Sequence, residues 1–218
     1  MAIFTKISKG EVKSIERKFN LGKIISFKGI KKGIENTNYL LRTKNKKFIL
    51  TIFEKRVQKK DLPFFMNLMD KLNNHKINCP KPQKNKKENF LINIKKKPAS
   101  IVSFVEGKDK FNLKIKDCYE IGKNIAKLHG ASKKIKLYRK NSMSLSYWPK
   151  ILKKIGNRSK SIDANLNDLM KKALLETKRK WPRNLPGGII HGDLFIDNIF
   201  FKNNKFCGYI DFYFACND

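Results

Sequence analysis

A short segment near the end of the chain constrains the fold more than any other. Residues 187–212 contain the spacing His-x-Asp-x-x-x-x-Asn, formed by His191, Asp193 and Asn198, and a further acidic residue, Asp211. Between Asn198 and Asp211 lie two runs of β-forming residues, 199–201 and 205–210, separated by an Asn-Asn pair of the kind found in hairpin turns. A hairpin here would return Asp211 to the neighbourhood of Asn198.

This pattern predicts a phosphoryl-transfer site. The spacing is that of the catalytic loop of protein kinases, in which the aspartate accepts or orients the proton of the substrate hydroxyl and the asparagine holds magnesium. Asp211 would supply a second oxygen ligand, and Mg²⁺ prefers oxygen ligands and neutralises charge on the β and γ phosphates. The loop spacing alone is an easy chance match, and a buried His191 bonded to backbone is the default interpretation of that residue.

The first hundred residues are predicted to form a mostly antiparallel sheet, with one helix before it and one inserted into it. A capping box, Ser8 with Glu11, predicts a helix near residues 8–20, and Asp61 with Pro63 predicts the start of another. Runs of β-forming residues, two of them joined by a turn at residues 44–46, predict strands at 23–27, 37–42, 47–53, 90–94 and 100–105.

After residue 107 the pattern becomes helical. Apolar residues from Cys118 to Leu128 recur three and four apart, and Gly130 is placed to end that helix. A second stripe runs from Leu166 to Thr177 and is closed by Pro182. Both stripes are assigned to core packing. The fold class is therefore α+β, with a β-rich part preceding a helical one.

Charge, cysteine content and hydrophobicity exclude some classes of protein and partner. The formal net charge is +32, from 50 Lys and Arg against 18 Asp and Glu, but the lysines are spread along the whole chain, so no specific nucleic-acid partner is predicted. A basic nucleic-acid binder remains an alternative. The four cysteines lack metal-ligand spacing and are predicted to be reduced core thiols. Without an apolar run of membrane-spanning length, the chain is predicted to be soluble and cytoplasmic, with no membrane partner.

Residues 191–198 resemble the catalytic loop of aminoglycoside phosphotransferases, choline kinases and their relatives, which carry His-Gly-Asp where protein kinases carry His-Arg-Asp. Further strings, over essentially the whole chain, resemble the homoserine kinases of this family. They are residues 33–39, 50–56, 62–65, 181–186 and, as the most specific, 210–218.

The resemblance implies a two-lobed protein-kinase-like fold. An antiparallel β lobe that binds nucleotide would span residues 1–103, a hinge 104–107, and the first part of a mainly helical lobe 108–218. Asp193 would be the catalytic base, with Asn198 and Asp211 as magnesium ligands. Residues 33–39 would cover the nucleotide phosphates and the hinge backbone would meet the adenine. The cofactor-binding residues implied in this way are Asn36, Thr37, Asn38, Ser103, Phe104 and Val105.

The activity implied is ATP- and Mg²⁺-dependent phosphorylation of a small hydroxyl compound, with L-homoserine favoured and O-phospho-L-homoserine, an intermediate of threonine biosynthesis, as product. The alternatives are another acceptor, such as an aminoglycoside, choline or another amino alcohol, or a catalytically silent nucleotide-binding relative. The oligomeric state is not predicted.

The chain departs from the broader kinase pattern at two places. Thr51 stands where a strand lysine usually contacts the phosphates, which leaves Lys47, Lys55 and Arg56 as candidates, each otherwise a solvated surface charge. The chain also stops at Asp218, where members of the family continue into further helices. We therefore expect the helical lobe to be incomplete, and the chain to be poorly stable and inactive towards homoserine on its own.

Overall fold

A five-stranded antiparallel sheet forms most of the first hundred residues. The computed structural model describes residues 3–31, 33 and 35–218. The strands are β1 Ile24–Gly29, β2 Thr37–Thr43, β3 Lys47–Ile52, β4 Leu91–Ile94 and β5 Lys97–Ser103, in the order β1-β2-β3-β5-β4. The register places Thr51 of β3 between Asn38 of β2 and Ser100 of β5.

Helix α1, Lys9–Lys18, covers one face of this sheet. It begins with the predicted capping box, in which Glu11 N–H donates to Ser8 Oγ and the Glu11 carboxylate accepts from Ser8 N–H. Ile15 is buried in a cluster with Leu41 and Leu50. Along β2, Leu41 and the other buried residues alternate with less buried neighbours. This alternation fixes the strand register, because a slip of one residue would turn the apolar set towards solvent.

Helix α2, Leu62–Asn74, joins the sheet to the second half of the chain. Its buried side chains include Phe65, Met66 and Met69. They belong to a single apolar cluster that also contains Leu128 and Phe212 from the later elements. The two halves of the chain therefore share a core, although the sheet has a second cluster of its own.

The second half contains three α-helices and two short sheets. The helices are α3 Ile115–Ser132, α4 Trp148–Ile155 and α5 Leu166–Lys180. Strand β6 Ile189–Ile190 pairs with β9 Cys216–Asn217, and β7 Ile199–Lys202 pairs with β8 Lys205–Tyr209. No helix in the described part of the chain is long and apolar enough to span a bilayer.

The predicted strands and helices are present, and the hairpin before Asp211 forms as expected. Its turn residues, Asn203 and Asn204, both adopt positive φ, 51° and 58°, as a type I′ turn requires. Phe201 and Tyr209 of this hairpin are buried in the same apolar cluster as side chains of α2 and as Leu128 of α3.

Some predictions for the helical half were wrong. Helix α3 does not end at Gly130 but continues to Ser132, and α4 was not predicted at all. Among the cysteines Cys79 and Cys216 are buried, whereas Cys118 is exposed and Cys207 is partly exposed, so these two are not core thiols. The stripe on α5 is only partly used in packing, because Leu169 remains 63% exposed.

Candidate active site

His191 is a buried histidine that holds the loop carrying Asp193. Its Nε2 lies 2.9 Å from the carbonyl oxygen of Ile210, and its Nδ1 accepts a hydrogen bond of 3.3 Å from the N–H of Asp193. Because Nδ1 accepts, Nε2 carries the proton and donates to Ile210. Burial lowers the pKa of His191 to about 4, although the bond to Ile210 acts in the opposite direction. His191 is therefore neutral at pH 7 and ties the loop to the strand end before Asp211.

Asn198 is bonded directly to Asp193. Its Nδ2 donates to the carbonyl oxygen of Asp193 at 2.8 Å and to the carboxylate Oδ2 of Asp193 at 3.2 Å. The carbonyl oxygen of Asn198 accepts from the N–H of Ile210 at 3.0 Å, which closes the hairpin. Both side-chain bonds of Asn198 use the amide nitrogen, so its Oδ1 is the atom available to a cation.

Asp211 follows at the end of the hairpin, in a left-handed conformation with φ 64° and ψ 61°. Burial raises the pKa of Asp211 to about 6, and the carboxylates of Asp193, Glu35 and Asp197 add to this shift. Solvent still reaches Asp211 through the open cleft, but protein surrounds it on the other sides. The structure thus brings together the three residues Asp193, Asn198 and Asp211.

The donors at this place suit a hard cation. Asn198 offers an amide oxygen and Asp211 a carboxylate in a region where neighbouring negative charges are poorly compensated, and such oxygens are the ligands that Mg²⁺ selects. Within the described residues no group of three or more His, Cys, Asp or Glu side chains forms a complete metal site. Two protein ligands are what a site completed by phosphate oxygens and water requires.

A cleft of about 300 Å³ opens beside these residues, between the sheet and the loops of the second half. Asn198 and Asp211 line one side, and the residues predicted to meet the adenine line another. Most of the remaining wall is apolar, as is usual for small-molecule sites. Its apolar lining residues include Ile30, Ile49, Met69, Val102, Ile210 and Phe212.

The three residues predicted to meet the adenine differ in how their backbone N–H groups are used. The N–H of Ser103 donates to the carbonyl of Lys81 at 2.8 Å, and the N–H of Phe104 donates to the carbonyl of Lys47 at 3.1 Å. Val105 N–H has no hydrogen-bond partner in the described part of the chain. Of the three predicted adenine contacts, Val105 therefore has the free backbone donor.

The polar residues at 36–38 are not gathered at the cleft. Thr37 is fully buried, and its hydroxyl donates to Glu54 Oε1 at 2.7 Å while accepting from the N–H groups of Phe4 and Thr5. Asn36 Oδ1 accepts from the N–H of Glu54 at 3.3 Å. Thr37 therefore links residues 4 and 5 to Glu54, and Asn36 bonds to the backbone of Glu54 just after β3.

Asn38 differs from its neighbours, because it lines the cleft and accepts a hydrogen bond of 2.8 Å from Thr51 Oγ1. The contact of residues 33–39 with phosphates stays a prediction, and Ile34 lies outside the described residues.

Glu54 is the centre of a polar network that sequence reasoning missed. Burial alone would raise its pKa, but hydrogen bonds from Lys97, Thr37 and Thr5 outweigh this effect and lower the pKa. The Lys97 ammonium group also contacts Thr5 Oγ1 at 2.7 Å. Glu54 and Lys97 are far apart in the sequence, and only the antiparallel pairing of β3 with β5 brings them close.

The strand position without a lysine is filled by neutral groups. Thr51 is 3% exposed, and the hydroxyl of Tyr213 lies near the hydroxyls of Thr51 and Ser100, outside strict hydrogen-bond geometry. The Tyr213 ring packs edge-on against Phe53 at a centroid distance of 5.1 Å. Burial raises the pKa of Tyr213, so the phenol is neutral and supplies no charge for a phosphate.

Known proteins of similar sequence and fold identify this chain as a small-molecule kinase. Residues 26–218 match the family described as phosphotransferase enzyme family. Homoserine kinases of Parvibaculum lavamentivorans and Rhizobium rhizogenes are each 39% identical over all 218 residues, and that of Agrobacterium fabrum is 38% identical. The chain spans 68% of the length of these relatives. The chain belongs to the phosphotransferase enzyme family, which confirms the resemblance seen in the sequence.

Solved structures confirm the predicted fold class. Spectinomycin phosphotransferase in complex with ADP and spectinomycin superposes with a TM-score of 0.73 at 13% identity, covering 98% of this chain and 71% of that one. Amicoumacin kinase in complex with AMP-PNP, Ca²⁺ and Ami gives a TM-score of 0.72 at 15% identity, covering 97% of this chain and 66% of that one. At such low identity the likeness concerns the two-lobed kinase-like fold alone.

Proposed function

We propose that this protein is an ATP-dependent kinase that phosphorylates the side-chain hydroxyl of L-homoserine in the cytoplasm, producing O-phospho-L-homoserine for threonine biosynthesis. The observation that carries the proposal is the contact between Asn198 and Asp193 beside Asp211, at the mouth of a cleft suited to a nucleotide. The choice of acceptor is supported by the identity of 38–39% with homoserine kinases over the whole chain.

Asp193 orients the acceptor in this proposal. Its Oδ2 is engaged by Asn198, which leaves Oδ1 to accept a hydrogen bond from the homoserine hydroxyl. Oδ1 takes the hydroxyl proton as the bond from the homoserine oxygen to the γ phosphorus forms and the bond from the γ phosphorus to the β–γ bridging oxygen breaks, which releases ADP. His191 keeps the loop in place as a neutral residue. Positioning of this kind provides much of the rate enhancement in phosphoryl transfer.

The nucleotide would lie with its base at the hinge. Val105 N–H is free to donate to adenine N1, and the backbone carbonyl of Ser103 can accept from the exocyclic amino group. Mg²⁺ bound by Asn198 and Asp211 would neutralise charge on the β and γ phosphates. Asn38, on the opposite side of the cleft, is the member of the 36–38 group that is positioned to approach the phosphates.

A comparison of acceptors tests the proposal. The protein, expressed from its complete reading frame, is assayed for acceptor-dependent ADP release with L-homoserine, choline and an aminoglycoside at equal concentrations. We expect homoserine to give the highest kcat/KM. Turnover of another acceptor without turnover of homoserine would overturn the choice of substrate and leave the kinase assignment standing, whereas no turnover of any acceptor and no ATP binding would overturn both.

A further inference from the structure

Arg56 occupies a bridging position between the two sides of the cleft. It lies just after β3, and its guanidinium group forms an ion pair with the carboxylate of Glu35, in the turn before β2. The same guanidinium lies 5.0 Å from the centre of the Phe214 ring, in the segment that follows Asp211. One side chain therefore contacts both the predicted phosphate-covering segment and the predicted metal-binding segment.

These contacts put Arg56 close to the reacting groups. The backbone of Phe214 is packed so tightly against Gly192 that a Cβ on Gly192 would lie 2.6 Å from the Phe214 carbonyl oxygen, and Gly192 precedes Asp193 directly. On the other side of the guanidinium, the Glu35 carboxylate lies near enough to Asp211 for its negative charge to raise the pKa of Asp211. A terminal phosphate between Asp211 and Asp193 would thus lie within the neighbourhood of Arg56.

The other candidate cations are less suitable. The Lys47 ammonium group pairs with Glu106 at 2.9 Å and lies over the ring of Phe104, at the hinge and away from Asp211. Thr51, at the usual lysine position, is neutral. Lys55 is exposed beside Arg56, but no contact in the described structure directs it towards the cleft.

We propose that Arg56 is the residue that binds the terminal phosphate of the nucleotide, and that Glu35 holds its guanidinium group until the nucleotide arrives. This inference rests on the proposed function as a kinase. The planar guanidinium fork matches phosphate oxygens bidentately, and a phosphate carries more negative charge than the carboxylate that it replaces. The Arg56 side chain is 58% exposed in its pair with Glu35, so the exchange of partners requires little desolvation.

Direct binding measurements separate this role from a structural one. Titration calorimetry in the presence of Mg²⁺ is carried out with AMP-PNP and with ADP on the parent and on Arg56→Gln. We expect Arg56→Gln to lose roughly 10- to 100-fold in affinity for AMP-PNP and less than about threefold for ADP, because only AMP-PNP carries the terminal phosphate. Arg56→Lys should recover part of the loss. Arg17→Gln, which removes the same charge from an exposed position on helix α1, is the matched control and should bind both nucleotides like the parent.

A second variant distinguishes the exchange of partners from a simple ion pair. Glu35→Gln removes the carboxylate that competes for Arg56, so AMP-PNP should bind as tightly as to the parent or tighter. If the pair only stabilised the fold, Glu35→Gln and Arg56→Gln would weaken binding of both nucleotides alike, and the inference would be overturned. It would also be overturned if Lys55→Gln, and not Arg56→Gln, lost affinity for AMP-PNP. A parent that binds no nucleotide would instead overturn the proposed function.

Discussion

The amide nitrogen of Asn198 holds Asp193 at two points, its carbonyl oxygen at 2.8 Å and its carboxylate Oδ2 at 3.2 Å. One residue therefore fixes the orientation of the proposed base and, through its other side-chain atom, faces the place of the proposed cation. Because Nδ2 of Asn198 bonds to Asp193 and Oδ1 is the proposed cation ligand, the position of the proposed base depends on the position of the cation. Substitutions at the two carboxylates on either side of Asn198 should consequently have different effects.

Asp193→Asn should lower kcat by about 10²- to 10⁴-fold, because the amide cannot accept the proton of the acceptor hydroxyl. The substituted side chain can still accept a bond from Asn198, so the loop should keep its shape and ATP affinity should stay within about threefold of the parent. Steady-state kinetics and nucleotide titration of the purified variant measure the two quantities. Asp197→Asn, on an exposed neighbour, is the control, and equal kcat values for Asp193→Asn and the parent would refute the assignment of the base.

Asp211→Asn should shift the magnesium dependence of nucleotide binding to higher concentration, by roughly tenfold or more, because it removes the carboxylate among the two proposed ligands. Asp197→Asn removes a carboxylate from the same cleft without removing a ligand, and should shift the dependence far less. ATP-analogue titrations at a series of Mg²⁺ concentrations compare the two variants. Shifts of the same size would place the cation elsewhere in the cleft.

The elements of the fold were predictable where local signals agree. The Ser8 and Glu11 capping box, the Asn203-Asn204 turn and the return of Asp211 to Asn198 all depend on residues close in sequence. Helix α4, Trp148–Ile155, was missed because it has only eight residues and because Tyr147, at its N-cap, provides no side-chain cap. The end of α3 was misplaced because a glycine that is compatible with a helix end is also tolerated within a helix.

The distant contacts of the site were not predictable from one sequence. Thr37 was assigned to the phosphates on its position, but its buried hydroxyl belongs to the network of Glu54, whose partners come from three separate strands or segments. The packing of Arg56 between Glu35 and Phe214 also depends on how the sheet meets the second half of the chain. Local propensity carries no information about such pairings, because the groups meet only in the folded chain.

The lowered pKa of His191 should make the stability of the fold depend on pH. Its folded pKa of about 4 lies below its ordinary value of 6.5, so its contribution to stability is complete above about pH 6.5. That contribution is lost as the pH falls towards 4, because His191 then becomes protonated in the unfolded chain but stays neutral in the folded one. The total loss is on the order of 3 kcal/mol. Asp211, with its raised pKa, acts in the opposite direction over part of the same range.

Comparison with His191→Gln isolates the histidine, because Asp211 is present in both proteins. Glutamine can donate to Ile210 but does not titrate, so the parent should lose up to about 3 kcal/mol relative to the variant between pH 7 and pH 4. Urea unfolding of both proteins at several pH values gives the difference directly. A difference that stays constant with pH would mean that His191 is not a buried neutral residue.

Gly192 should be the least replaceable glycine of the site. Its φ is 78°, and an added Cβ would lie 2.6 Å from the Phe214 carbonyl oxygen and 3.0 Å from the Phe214 carbonyl carbon. Gly192→Ala therefore combines backbone strain with a clash against backbone that must move, immediately before Asp193. We expect a loss of about 2–4 kcal/mol of stability and, since a shift of about 1 Å at a catalytic group can cost ~10²-fold, a fall in kcat of that order.

Gly22 provides the matched control. Its φ of 84° is similar, but no heavy atom lies within 4 Å of the position of an added Cβ, so Gly22→Ala carries the strain without the clash. It should cost about 1–2 kcal/mol of stability, with kcat unchanged. Thermal melting and kinetics of the two variants side by side separate strain from displacement of the loop. If Gly192→Ala behaved like Gly22→Ala in both measurements, the contact between the Phe214 backbone and the Asp193 loop would not control the position of the base.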